Sequence, residues 1–177
     1  MNFRLVRPNS GPTTLFSDLN WELMGTGDFN GSGRADVLMR NWVSGKWWIF
    51  MMNGRRNNSG GTAITTDMDW QIAGIDDFDG DGKDDVLLRN RVTGRWWINF
   101  MNFRSVRPNS GPTALFANQN WEMRGTGDFS GKGRVGILLR HRLTGRWWIF
   151  FMTGRTANSG STPILKDKKW RLPITQD

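Results

Sequence analysis

The chain has 177 residues, with 24 Lys and Arg against 16 Asp and Glu, a formal net charge of +8, no Cys and a single His. These counts exclude disulfides, thiolate metal sites and a cysteine nucleophile, and they leave His141 as the sole imidazole for metal binding or catalysis. The 22 Gly disfavour a helix bundle, because Gly costs about 1 kcal/mol per helix-interior position, while the basic balance invites a polyanionic partner.

In chain order, residues 1–20 read as the tail of a repeat unit, because MNFRLVRPNSGPTTLF nearly recurs at 101–116. This start lacks the apolar stretch of a signal peptide. No apolar run anywhere approaches the roughly 20 residues of a membrane-spanning helix. Three full units follow, at 21–69, 70–120 and 121–169, and 170–177 begins another. The unit-opening residues Trp21, Trp70, Trp121 and Trp170 stand 49, 51 and 49 residues apart. A repeat near 50 residues must be read as an architecture before any local feature.

Each unit predicts four short strands between Gly-rich turns. The first starts at the lone Trp and runs into an acidic loop. The second is DVLMRN, DVLLRN or GILLRH, and the third is KWWIFMM, RWWINFM or RWWIFFM. A fourth is expected near TTLF, TAIT, TALF or TPIL. In the third strand Trp47, Ile49 and Met51 point one way and Trp48, Phe50 and Met52 the other. A strand apolar on both faces needs cover on both sides, which a sheet packed between two others supplies. The expected fold is therefore all-β, a β-propeller of four-stranded blades with about 3.5 blades per chain. A β-solenoid is the alternative, although 50 residues is long for one coil.

The middle acidic loop places Asp77, Asp79, Asp81 and Asp85 at positions 1, 3, 5 and 9, with Lys83 at position 7 able to offer only its carbonyl. Calcium takes 6–8 oxygens, and intervening glycines let alternate side chains converge on it. Carboxylates this crowded repel one another unless a cation neutralises them. An EF-hand is excluded, because position 12 is Leu88 and strands flank the loop. The first loop carries Asp28, Asn30, Ser32, Arg34 and Asp36 and is expected to bind calcium more weakly. The third carries Asp128, Ser130, Lys132 and Gly136 and is expected to bind none, with the Lys132 ammonium in place of a cation. A fold that keeps its shape around an empty third loop uses calcium structurally.

GDFNGSGRADVLMRN, DDFDGDGKDDVLLRN and GDFSGKGRVGILLRH, each followed by SGKWWI or TGRWWI, resemble bacterial FG-GAP/VCBS-type repeats, the blades of integrin-like calcium-binding propellers. The resemblance covers essentially the whole chain and rests on the acidic loop and the blade pattern. It implies a secreted or cell-surface protein, often an adhesin, a lectin or an accessory part of a secreted enzyme. It does not imply one activity, because a propeller is a scaffold.

The Trp pairs Trp47/Trp48, Trp96/Trp97 and Trp147/Trp148 read mainly as core between blades. Trp48, Trp97 and Trp148 are also candidates to stack on a sugar ring. Trp42 replaces the Arg91 and Arg142 of the other units and is the best candidate for an exposed aromatic contact. Arg40/Arg89/Arg140, Lys46/Arg95/Arg146 and Arg55/Arg104/Arg155 recur in register. They form either arcs that bind acidic polysaccharide, with Arg95 and Arg146 as candidates, or local pairs with carboxylates and carbonyls. Nucleic acid is the weaker reading, because no recognised module is present. No catalytic residue is assigned. The expected function is calcium-stabilised extracellular recognition, with glycan or acidic polysaccharide as partner. The competing reading is a self-assembling protein, either a homodimer closing a seven-bladed ring or a head-to-tail filament, and a third alternative is that the chain is a piece of a longer propeller.

Overall fold

The computed structural model describes residues 11–161, and those residues contain strands and no helix. Three four-stranded antiparallel sheets follow one another along the chain. The first comprises β1 (Trp21–Gly27), β2 (Asp36–Asn41), β3 (Trp47–Asn53) and β4 (Arg56–Thr62) in that order. The second comprises β5 (Trp70–Asp76), β6 (Asp85–Asn90), β7 (Trp96–Asn99) and, beyond a hairpin of β8 (Met101–Asn102) and β9 (Ser105–Val106), an outer β10 (Gly111–Thr113). The third comprises β11 (Trp121–Gly127), β12 (Gly136–His141), β13 (Trp147–Thr153) and β14 (Thr156–Ser161). Sequential hairpins build each sheet, as in a propeller blade.

The opening strands of the three sheets share one irregularity. The pairing slips between Leu23 and Gly25, between Ile72 and Gly74, and between Met123 and Gly125. A bulge at the same place in every repeat bends the strand and increases its twist.

Packing between sheets follows from the doubly apolar strands. One core joins Phe29, Leu38, Trp47, Ile49 and Ile64 of the first repeat to Val86, Leu88 and Met101 of the second. The other joins Phe78, Leu87, Trp96, Ile98 and Phe100 of the second repeat to Val135, Ile137, Leu139 and Phe150 of the third. The middle sheet is thus covered on both faces, as its sequence requires. Backbone bonds fix the stacking. Phe103 N–H donates to the Phe29 carbonyl at 3.0 Å, and Gly154 N–H to the Phe78 carbonyl at 3.0 Å.

The fourth strand lies earlier than its sequence suggests. β4 and β10 end at Thr62 and Thr113, where TAIT and TALF begin. The apolar residues of those segments, Ile64 and Leu115, are buried as loop residues plugging the cores. The outer strand itself is polar and was hidden by that. TTLF at 13–16 forms no strand, and TPIL at 162–165 lies outside the described residues, as do 1–10 and 170–177.

The register also explains much of the basic repetition. The guanidinium of Arg40 stacks on Trp47 at 4.6 Å and donates to the carbonyls of Asp67 (2.9 Å), near the end of its own repeat, and Trp70 (2.6 Å), the first residue of the next. Arg89 stacks on Trp96 at 4.6 Å and donates to the carbonyls of Trp121 and, at 3.1 Å, Asn118. These arginines tie one sheet to the next. Arg104 and Arg155 pack over Gly60 and Gly111 of the preceding sheet, where any side chain would collide with them.

Candidate functional site

The loop after β5 is shaped by its first carboxylate. Asp77 Oδ1 accepts N–H bonds from Gly80 (2.7 Å) and Asp81 (3.1 Å), and Oδ2 accepts one from Gly82 (2.8 Å). Gly80 and Gly82 take left-handed φ values of 79° and 81°, which close the curl. At the far end Asp85, fully buried, accepts N–H bonds from Met101 (2.8 Å) and Phe78 (3.1 Å). Burial pushes its carboxyl up to about 8, against the lowering effect of those two bonds.

Oxygens of Asp77, Asp79 and Asp85 lie within 4.8 Å of one another. Oxygens around one calcium at 2.3–2.6 Å are at most about 5 Å apart. Asp79 Oδ1 is buried and has no hydrogen-bond partner. Three carboxylate oxygens this close, with a buried unpartnered oxygen on Asp79, make a donor set for a hard cation, so these residues fit calcium. Asp81 does not join the cluster. It pairs with Lys83 at 3.2 Å and with Arg107 at 2.8 Å, and Arg107 also pairs with Asp79.

Arg107 was not a sequence candidate. It sits in a stretch two residues longer than its counterpart in the first repeat, between the third strand and the Ser-Gly that opens the outer edge. The same stretch holds Phe103 at a φ of 56°, in register with Gly54 and Gly154 at 61° and 58°. The signal was the extra length itself, opposite the most acidic loop.

The other two loops have the same curl with fewer ligands. Asp28 accepts N–H bonds from Ser32 (3.0 Å) and Gly33 (2.6 Å). Asn30 donates to the buried Asp36 at 3.1 Å, and Asp36 accepts Met52 N–H at 2.8 Å. Burial raises the Asp36 carboxyl. Arg34 turns its side chain to the Met52 carbonyl at 3.3 Å. In the third loop Asp128 accepts Gly133 N–H at 2.7 Å and the N–H and hydroxyl of Ser130, which, led by Gly133, hold its carboxyl down at about 2. Gly136 supplies no ninth-position ligand, and the Lys132 ammonium forms no ion pair with Asp128. Asp84, outside the expected ligand set, instead links repeats: its N–H donates to the Asp28 carbonyl at 2.9 Å and its carboxylate accepts Asp28 N–H at 2.6 Å.

The aromatic and basic candidates separate by exposure. Trp47 and Trp96 are sealed at 1%. Trp48 and Trp148 are half-buried beneath Phe16 and Phe116, each at a ring distance of 5.4 Å. Trp97 is 37% exposed and has no such cover. Trp42 is 57% exposed and donates its indole N–H to the Leu19 carbonyl at 3.3 Å. Arg95 and Arg146 are exposed, as is Lys46 in the same register. His141 takes the turn-closing place of Asn41 and Asn90, accepting Thr144 N–H at 3.2 Å through Nδ1.

No curated protein matches the chain. No solved structure matches it either. Residues 28–88, from the first acidic loop to the strand after the second, match the model of the FG-GAP-like repeat.

Proposed function

We propose that the chain is a non-catalytic, calcium-stabilised propeller-type module that works outside the cytoplasm and recognises carbohydrate. FG-GAP repeat families are generally non-catalytic. The observation that carries the recognition reading is the open indole of Trp97, the least buried member of the Trp pairs. The calcium reading is supported by the fit of Asp77, Asp79 and Asp85 to a hard cation. In that site the three carboxylates hold the ion, and the ion supplies the positive charge that lets them sit together. A site that must compete with Arg107 suits the higher calcium levels met by extracellular modules, with Kd of about 10⁻⁴–10⁻³ M.

The test is binding to neutral and acidic glycans at low and moderate salt. Neutral-glycan binding that persists with salt and is lost in Trp97→Ala supports the reading. Binding only to acidic glycans, falling steeply with salt and unchanged in Trp97→Ala, moves the recognition to a surface of Lys46, Arg95 and Arg146, and binding to no glycan overturns the reading.

Assembly is the second reading, and one observation favours it. Phe29 and Phe78 are buried under the following sheet at 0% and 2%, whereas Phe129 in the same register is 46% exposed. A second copy seated on that face would bury it. Sedimentation showing only a monomer at high concentration would remove this reading.

A further inference from the structure

The three repeats share one aromatic corner, and in the middle repeat it is hollow. Trp21 and Trp48 meet edge to face at 6.2 Å and 74°, Trp70 and Trp97 at 6.3 Å and 71°, and Trp121 and Trp148 at 6.2 Å and 74°. In the outer repeats a phenyl fills the corner. Phe16 lies 4.6 Å from Trp21, 5.4 Å from Trp48 and 5.0 Å from Phe50. Phe116 lies 5.0 Å from Trp121, 5.4 Å from Trp148 and 4.9 Å from Phe150. In the middle repeat the two phenylalanine positions are Thr65 and Asn99. Both Trp remain, and the corner becomes a cavity of about 350 Å³ between the second sheet and the loop that leads into it.

Two substitutions that line one cavity exchange packing for polarity. Losing a buried phenyl is destabilising where the cavity stays empty. The Thr65 hydroxyl accepts Asp67 N–H at 3.2 Å, but the amide of Asn99 and a neighbouring hydroxyl are not consumed by the fold. Asn99 is 5% exposed and lines the cavity, and its Nδ2 has no hydrogen-bond partner. Ser110 Oγ accepts Phe100 N–H at 2.9 Å, which leaves its own proton to donate. A buried amide without a partner carries a desolvation cost, which a ligand oxygen recovers.

We infer that this cavity is a binding site for a single neutral pyranose, a monosaccharide or the terminal sugar of a glycan. This rests on the carbohydrate reading above and locates it. No charged residue lines the cavity, so a charged ligand gains nothing there. The volume is at the lower end of small-molecule sites, about 300–1,000 Å³, which suits one ring rather than a polymer. The indoles stand at 71°, so they form a corner and cannot clamp a flat ring from both sides. A chair-shaped sugar lays its C–H groups on one indole and its edge on the other. Its hydroxyl oxygens accept from Asn99 Nδ2 and Ser110.

The experiment is calorimetric titration with the methyl glycosides of glucose, galactose, mannose, fucose and N-acetylglucosamine, alongside the glycan panel. The wild type is compared with Thr65→Phe/Asn99→Phe, which restores the phenyl pair of the neighbouring repeats. The inference expects at least one glycoside to bind the wild type. It expects the filled variant to lose binding by about tenfold or more while melting at the same or a higher temperature. Asn99→Ala, which empties rather than fills the site, is expected to weaken binding by about tenfold. It also covers a failure of the filled variant to fold. Glycan binding unchanged in both variants overturns this site and leaves the carbohydrate reading standing. Absence of any glycan or glycoside binding overturns both.

Discussion

Arg107→Gln is expected to move stability and calcium affinity in opposite directions. The guanidinium is 25% exposed and its partners Asp79 and Asp81 are 18% and 24% exposed, so both pairs are partly shielded from water. Pairs of this kind contribute about 1 kcal/mol each, at the upper end of the surface range. The stacking of Arg107 on Phe100, at 5.3 Å, adds roughly 0.5 kcal/mol. Gln retains one or two neutral hydrogen bonds, so the metal-free variant should lose about 1–2 kcal/mol of unfolding free energy. Calcium in the loop must draw Asp79 away from the guanidinium. Removing that competitor should tighten calcium binding by about 5–30-fold, the same energy expressed as affinity. Denaturant unfolding with and without calcium measures the first effect, and calorimetric titration measures the second. A variant that is less stable yet binds calcium no more tightly would show that Arg107 does not compete for the site. A variant that binds calcium more weakly would refute the reasoning outright.

Arg89→Met should destabilise the protein by about 3–5 kcal/mol in denaturant unfolding, because it strips the carbonyls of Trp121 and Asn118 of charged donors and removes the stack on Trp96. A loss below about 1 kcal/mol would mean that the sheets are not tied together there. Gly94→Ala should cost about 2 kcal/mol or more, since Gly94 has a φ of 71° and a methyl would collide with the Ala117 carbonyl. An unchanged melting temperature would contradict that. Asp128 should titrate near 2 by NMR. Because its folded value lies below the ordinary 3.8, its contribution to stability is present above about pH 4 and lost as pH falls toward 2. A midpoint near 3.8 would contradict its hydrogen-bonded cradle.

The parts of the fold legible in the sequence are those where composition and burial coincide. The strands from Asp36, Asp85 and Gly136 and the Trp-Trp strands are apolar because sheets cover both faces, and they stand where the pattern places them. The polar outer strand Arg56–Thr62 carries no hydrophobic signal, so the nearby Ile64 drew the expectation past it. The curl of the acidic loop follows from the spacing of Asp77, Gly80 and Gly82. The position of Arg107 does not, because it depends on how a hairpin folds back across 28 residues of chain. The hollow corner was legible in principle. Thr65 and Asn99 depart from Phe16/Phe116 and Phe50/Phe150, but only contact in space reveals that both departures open the same volume.

Calcium stoichiometry tests the central claim most directly, because the three loops differ in ligands while sharing one fold. Titration of the wild type should give a tighter site that disappears in Asp79→Ala, a weaker second site that disappears in Asp28→Ala, and no third. Three equivalent sites, or no calcium bound in the range where extracellular modules bind it, would contradict the account.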